Sequence, residues 1–185
     1  MNTHSRKRIV FFDVDTQYDF MDPAGRLYVK GAESIVANLK KLTAFADRRG
    51  IAIVSTCDWH TAHDPEFAAF PPHCVRNTRG ARKIKETIAG RTKQTVIKKA
   101  NIDVFSNPAI ARALSKYSDV YVYGVALDYC VRTACLGARQ LGVRVFAVKD
   151  AIKAISPETG RAAADQLRRH GVRFITMKGL KRRLS

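Results

Sequence analysis

The segment 121–134, Tyr-Val-Tyr-Gly-Val-Ala-Leu-Asp-Tyr-Cys-Val-Arg-Thr-Ala, determines the class of fold open to this chain. Its first half is β-branched and aromatic, the composition of a buried strand. Gly124 interrupts that pattern, and from Tyr129 to Leu141 the apolar residues recur at helical spacing. A strand that hands over directly to a helix is α/β architecture, and Cys130 falls at the hand-over. At a helix N-terminus the macrodipole and unpaired N–H groups stabilise a thiolate. The same N–H groups can hold the oxygen of a tetrahedral intermediate. Taken alone, Cys130 reads first as a small buried hydrophobe, so its role depends on the rest of the chain.

Elsewhere the alternation repeats. Short apolar runs at 8–14, 52–57, 95–98, 120–125, 143–148 and 172–176 fit buried strands. Amphipathic stretches at 32–49, 107–115, 129–141 and 157–170 fit helices. Gly50 and Gly142 stand as C-terminal caps and Pro108 and Pro157 in first turns. Regular alternation predicts a three-layer α/β/α fold with a mostly parallel, six-stranded sheet. The 185 residues suit one domain, with its core at about 8–176 and basic tails at both ends. The stretch 177–185 reads as a mobile tail and 76–90 as a surface excursion. No run is long enough to span a membrane and the first residues lack a secretory core, so a soluble cytoplasmic protein with free thiols is expected.

Several polar residues cluster at predicted strand ends, where open α/β sheets place their sites. Asp13, Asp15, Gln17 and Asp19 follow the first strand at period two and would share one side of an extended chain. The residues alone do not choose between Asp13 and Asp15 as the functional carboxylate. After the second strand come Asp58 and His60, again two apart, and His73 returns in Phe-Pro-Pro-His. One oxygen and two nitrogens suit zinc, manganese or iron with positions left open.

In Asp15-Thr16-Gln17-Tyr18-Asp19-Phe20, Asp58-Trp59-His60 with Pro71-Pro72-His73-Cys74, Lys99, and the segment from Gly124 to Val131, the chain resembles the nicotinamidase branch of the isochorismatase-like cysteine hydrolases. The motifs occur in family order and cover about residues 8–176. The resemblance implies a catalytic set of Asp15, Lys99 and Cys130, with Lys99 preferred to Lys98 by its distance from Phe105. It implies an oxyanion hole from the N–H groups of Ala126 and Cys130, beside a cis Val125–Ala126 peptide. It further implies a divalent metal, zinc foremost, on Asp58, His60 and His73, and a pocket of Phe20, Leu27, Phe70, Val125 and Tyr129. Some relatives carry another histidine four residues after the first; this chain has His63 at three and Asp64 at four, and one of these or waters could complete the shell. The implied reaction is hydrolysis of nicotinamide to nicotinate and ammonia. A related hydrolase for another small amide or carbamoyl compound is the alternative, since Phe70 and Tyr129 stand where many relatives carry tryptophan and some carry histidine.

The net charge of +17 is unusual, and between Arg76 and Lys99 Glu86 is the only acid. Such charge attracts polyanions without regard to sequence. No zinc finger or RNA-recognition signature accompanies it, so no specific nucleic-acid partner is expected. A non-catalytic basic binding protein is the distant alternative. A small amide is the expected partner, and self-association stays open.

Overall fold

The structure, a computed structural model, describes residues 8–185. The expected N-terminal basic tail lies outside them. In chain order come β1 (Ile9–Val14), α1 (Tyr18–Met21), α2 (Val36–Arg49), β2 (Ala52–Asp58), β3 (Gln94–Lys99), α3 (Pro108–Leu114), β4 (Asp119–Val125), α4 (Cys130–Gln140), β5 (Arg144–Lys153), α5 (Pro157–Arg169), β6 (Arg173–Ile175) and α6 (Met177–Leu184). The six strands form one sheet in the order β3-β2-β1-β4-β5-β6, every pair parallel. Parallel strands need crossovers, and right-handed crossovers running outward in both directions from β1 and β4 put their helices on opposite faces. On one face Phe11 stacks on Phe45 of α2, and its edge meets Tyr121 and Tyr123. α4 packs against β1, β4, β5 and α5. Among the described residues no helix is long and apolar enough to cross a membrane.

This strand order makes β1 and β4 the central neighbours whose chains leave in opposite directions. The crevice beyond their carboxyl ends is where such sheets hold their ligands. Gly124 keeps that crevice tight. It pairs with Val14 at a φ of 117°, and a β-carbon there would lie 2.0 Å from the Val14 carbonyl oxygen. Gly124→Ala is expected to lower stability by about 2–4 kcal/mol, from overpacking together with backbone strain, read as a lower urea midpoint at unchanged slope.

Three expectations need correction. The segment 177–185 is not a mobile tail: Met177–Leu184 is helical, Leu180 is fully buried, and Arg183 donates to the Tyr121 hydroxyl at 3.0 Å. Its density of lysine and arginine hid a short amphipathic helix whose Met177 and Leu180 face inward. β5 continues past Val148 to Lys153, because Ala151 and Ile152 resume the ladder beside β4 after a break in register. The excursion at 76–90 is not all surface. Lys83 sits almost buried with its Nζ 2.6 Å from Asp13 Oδ2, and Gly80 lies directly against the Asp19 carboxylate.

Candidate active site

The carboxylates after β1 do not share one side. Asp15 has a φ of 51°, a left-handed conformation that aspartate tolerates better than most residues, and the turn it makes separates its side chain from that of Asp13. Asp13 accepts from Thr16 and pairs with Lys83. Asp15 accepts from Thr56 Oγ1 at 2.7 Å and lies 2.9 Å from Lys99 Nζ. Asp19 instead accepts from the Cys74 and Arg26 N–H groups and ties two loops together. Gln17 brackets Asp58, accepting from its N–H at 2.7 Å and donating to its carbonyl at 2.8 Å. Asp13 and Asp19 are therefore structural, and of the three carboxylates only Asp15 reaches Lys99 and Cys130.

Lys99 ends β3 with its side chain buried, whereas Lys98 beside it is exposed. Its ammonium lies between Asp15, an oxygen of Asp58, and Cys130 Sγ at 3.5 Å. Burial alone would lower the lysine's pKa, but Asp15, Cys130 and Asp58 outweigh it and hold the ammonium protonated well above the ordinary range. Burial pushes the Cys130 thiol well up despite Lys99, and raises Asp15 as well. Both shifts favour a proton on sulfur and a carboxylate more basic than an exposed one. Cys130 opens α4, and the Val125–Ala126 peptide before it is cis.

The second oxygen of Asp58 faces away from Lys99, 3.8 Å from His60 Nε2 and 3.9 Å from His73 Nε2. Donor atoms of Asp58, His60, Glu66 and His73 all lie within 4.8 Å of one another. His60 is fully buried; Asp64 lies against its Nδ1, but its Nε2 makes no hydrogen bond within the protein. A buried imidazole left so costs free energy unless something else binds it, and two nitrogens with two carboxylate oxygens suit a zinc-type divalent ion. His73 Nδ1 faces the Pro71 carbonyl oxygen at 2.8 Å, which turns Nε2 toward the cluster. The residues present fit a metal.

Between the two groups opens a cavity of about 170 Å³, lined by Phe20, Leu27, Phe70, Tyr129 and Cys130 with Asp58, Glu66 and His73 at one end. Val125 is not part of its wall: it is buried at the end of β4. Val29, Ala126, Ile102 and Ile155 complete the wall instead.

Comparison with known proteins matches residues 10–179 to the isochorismatase domain model. This chain belongs to the isochorismatase family. Among its relatives is the nicotinamidase of Saccharomyces cerevisiae, 27% identical over 88% of this chain and 96% of that protein. Among solved structures, the pyrazinamidase of Pyrococcus horikoshii in complex with zinc superposes with a TM-score of 0.82 at 29% identity, over 92% of this chain and 99% of the other. PnC1 of L. infantum in complex with nicotinate gives 0.81 at 26%, over 94% of each.

Within this isochorismatase-family site, Asp15, Lys99 and Cys130 come together, as do Asp58, His60 and His73. Neither candidate for the fourth metal position joins them. His63 is exposed, and Asp64 lies behind His60, 3.2 Å from its Nδ1, while capping the turn at Pro65–Ala68. Glu66 lies beside the three instead, its Oε1 3.8 Å from His73 Nε2. Its signal was faint: a glutamate directly after Asp64-Pro65, meaningful only once the turn at Pro65–Ala68 is known to bring it near His73. Glu66→Gln is expected to weaken metal binding by about 10–100-fold, as loss of a supporting carboxylate does elsewhere, measured by competition with a metallochromic chelator; His63→Ala should leave it unchanged. Lys99→Met, which strands two buried carboxylates, should cost about 3–5 kcal/mol in chemical denaturation.

Proposed function

We propose that this chain is a metal-assisted cysteine amidohydrolase that converts nicotinamide and water to nicotinate and ammonia. One observation carries the reading: the Lys99 ammonium joins Asp15, Cys130 and Asp58, and Asp58 in turn faces a metal-type cluster on the wall of the cavity that Cys130 lines. The names of the relatives, nicotinamidase and pyrazinamidase, support it.

Cys130 attacks the amide carbonyl as Asp15 takes the thiol proton, and a carbon–sulfur bond forms. The N–H groups of Ala126 and Cys130 hold the resulting oxyanion. The carbon–nitrogen bond then breaks as Asp15 returns its proton to nitrogen, releasing ammonia and leaving a thioester. Asp15 next takes a proton from water, whose oxygen attacks the thioester. Carboxylate leaves and the thiol is restored. Throughout, Lys99 keeps Asp15 fixed and balances the negative charge passing between oxygen and sulfur. A divalent ion on Asp58, His60, Glu66 and His73, zinc foremost with manganese or iron as alternatives, would supply Lewis acidity toward a pyridine nitrogen and so orient the carboxamide. Phe20 and Phe70 offer faces and edges to a planar ring, and the cavity admits one small ring rather than a peptide.

Ammonia release from nicotinamide by metal-replete protein, with and without a chelator, tests the proposal. Release that the chelator abolishes and added metal restores is the expected result. Metal-loaded, folded protein that releases none from nicotinamide but acts on another small amide would remove nicotinamide as the substrate.

A further inference from the structure

A second cavity lies on the reverse side of the strands that carry the site. Side chains alternate along a strand. Where Asp58, His60 and Lys99 turn to the catalytic side, Cys57 and Trp59 turn the other way, as do Val96 and Lys98 of β3. These four, with Tyr18 and Ala81, form the floor of a groove of about 620 Å³, within the range of small-molecule sites. Val96 and Ile88 on its wall are exposed at 47% and 58%. β3 is the sheet's edge strand.

The charge around that apolar floor has one sign. Arg79, Arg82, Lys83, Lys85 and Lys98 line the groove, with no acid among the lining residues. Lys83 is spent on Asp13, and Arg79 pairs with Asp22 at 3.4 Å. Arg82, Lys85 and Lys98 have no carboxylate partner among the described residues. The Lys98 ammonium rests 3.6 Å from the centre of the Trp59 ring, and the Arg79 guanidinium 4.9 Å over Tyr18. Three unpaired cations around an aromatic and aliphatic floor complement an anion that also carries a flat apolar ring. A second copy of this chain does not fit, because two chains of charge +17 repel. An acidic peptide would meet the cations but leave the ring faces unused.

We infer that this groove binds a nucleotide, with its base against Trp59 and Val96 and its phosphates among Arg82, Lys85 and Lys98. A ligand there is separated from the Cys130 cavity by the sheet edge itself, so it does not compete with the amide substrate.

Trp59 is the only tryptophan in the chain, so its fluorescence reports occupancy directly. The metal-replete protein would be titrated with ATP, with tripolyphosphate and with a single-stranded oligonucleotide. ATP should give a saturable change, unaffected by excess nicotinamide and at least about fivefold tighter than tripolyphosphate, because base stacking on an aromatic ring adds affinity. In Arg82→Glu/Lys85→Glu the ATP dissociation constant should rise at least about tenfold, which corresponds to about 1.4 kcal/mol. Both side chains are exposed, and an unchanged circular dichroism spectrum and melting temperature would confirm that the variant folds. Absence of saturation, equal affinity in the variant, displacement by nicotinamide, or tripolyphosphate binding as tightly as ATP would each overturn the assignment. So would binding of the oligonucleotide alone, which would make the groove a non-specific polyanion surface. The fluorescence signal needs no turnover, so a failure of nicotinamide as substrate leaves this result standing.

Discussion

Cys130→Ala is expected to reduce amide hydrolysis at least about ten-thousand-fold, since removing a nucleophile leaves only binding and oxyanion stabilisation. Folding should survive. The sulfur is buried, but alanine suits the first turn of α4, and loss of one atom from a packed site costs about 1 kcal/mol. Binding should survive too, because Phe20, Phe70 and the Asp58–His60–Glu66–His73 cluster are untouched. The variant should therefore still bind nicotinamide in calorimetry while releasing no ammonia. Acid-quenched wild-type protein should carry one nicotinoyl group on Cys130 by mass spectrometry, and the variant none. Turnover at the wild-type rate in the variant would remove the thioester route, whereas loss of both turnover and binding would point to a collapsed pocket rather than a missing nucleophile.

Most of the framework was legible because its signals are local. The alternation of apolar runs gave six strands and the major helices, and the strand-to-helix passage at Gly124–Cys130 put Cys130 at the start of a helix. Lys99 was separable from Lys98 by its distance from Phe105, and along β3 the two turn to opposite sides, one buried and one exposed. What stayed hidden depends on backbone conformation or on contacts across the chain. A period-two reading put four polar residues at the end of β1 on one side, but the chain turns at a left-handed Asp15 and each meets a different partner. Glu66 joins the metal cluster only because the turn at Pro65–Ala68 folds over His73. Lys83 looked like any surface lysine, and its burial against Asp13 follows from the packing of a distant loop on β1. Val125 was expected in the pocket from the family resemblance. As the last residue of β4 it is buried in the core, and Val29, Ile102 and Ile155, far apart in sequence, supply that wall.

Asp15→Asn should lower kcat/KM by about ten-thousand-fold, the scale seen when the partner of a catalytic proton transfer loses its charge. The amide is the same size and can still accept from Thr56, so the loss is one of basicity rather than of shape. The pH profile separates this role from a structural one. Burial, with Asp58 adding to it and Lys99 opposing, raises the Asp15 pKa above its ordinary 3.8. A general base must be ionised, so activity is present above that raised pKa and falls as pH drops through it. The acid limb of kcat/KM in wild-type protein, measured with metal in excess so that ligand protonation does not enter, should lie above the ordinary carboxylate range. The residual rate of Asp15→Asn should lack that limb. Asp15→Glu should restore part of the rate together with the limb, because a carboxylate returns even though its reach has changed. An unchanged acid limb in Asp15→Asn would assign the proton transfer to another group, and Asp58, which shares Lys99 with Asp15, would be the next to replace.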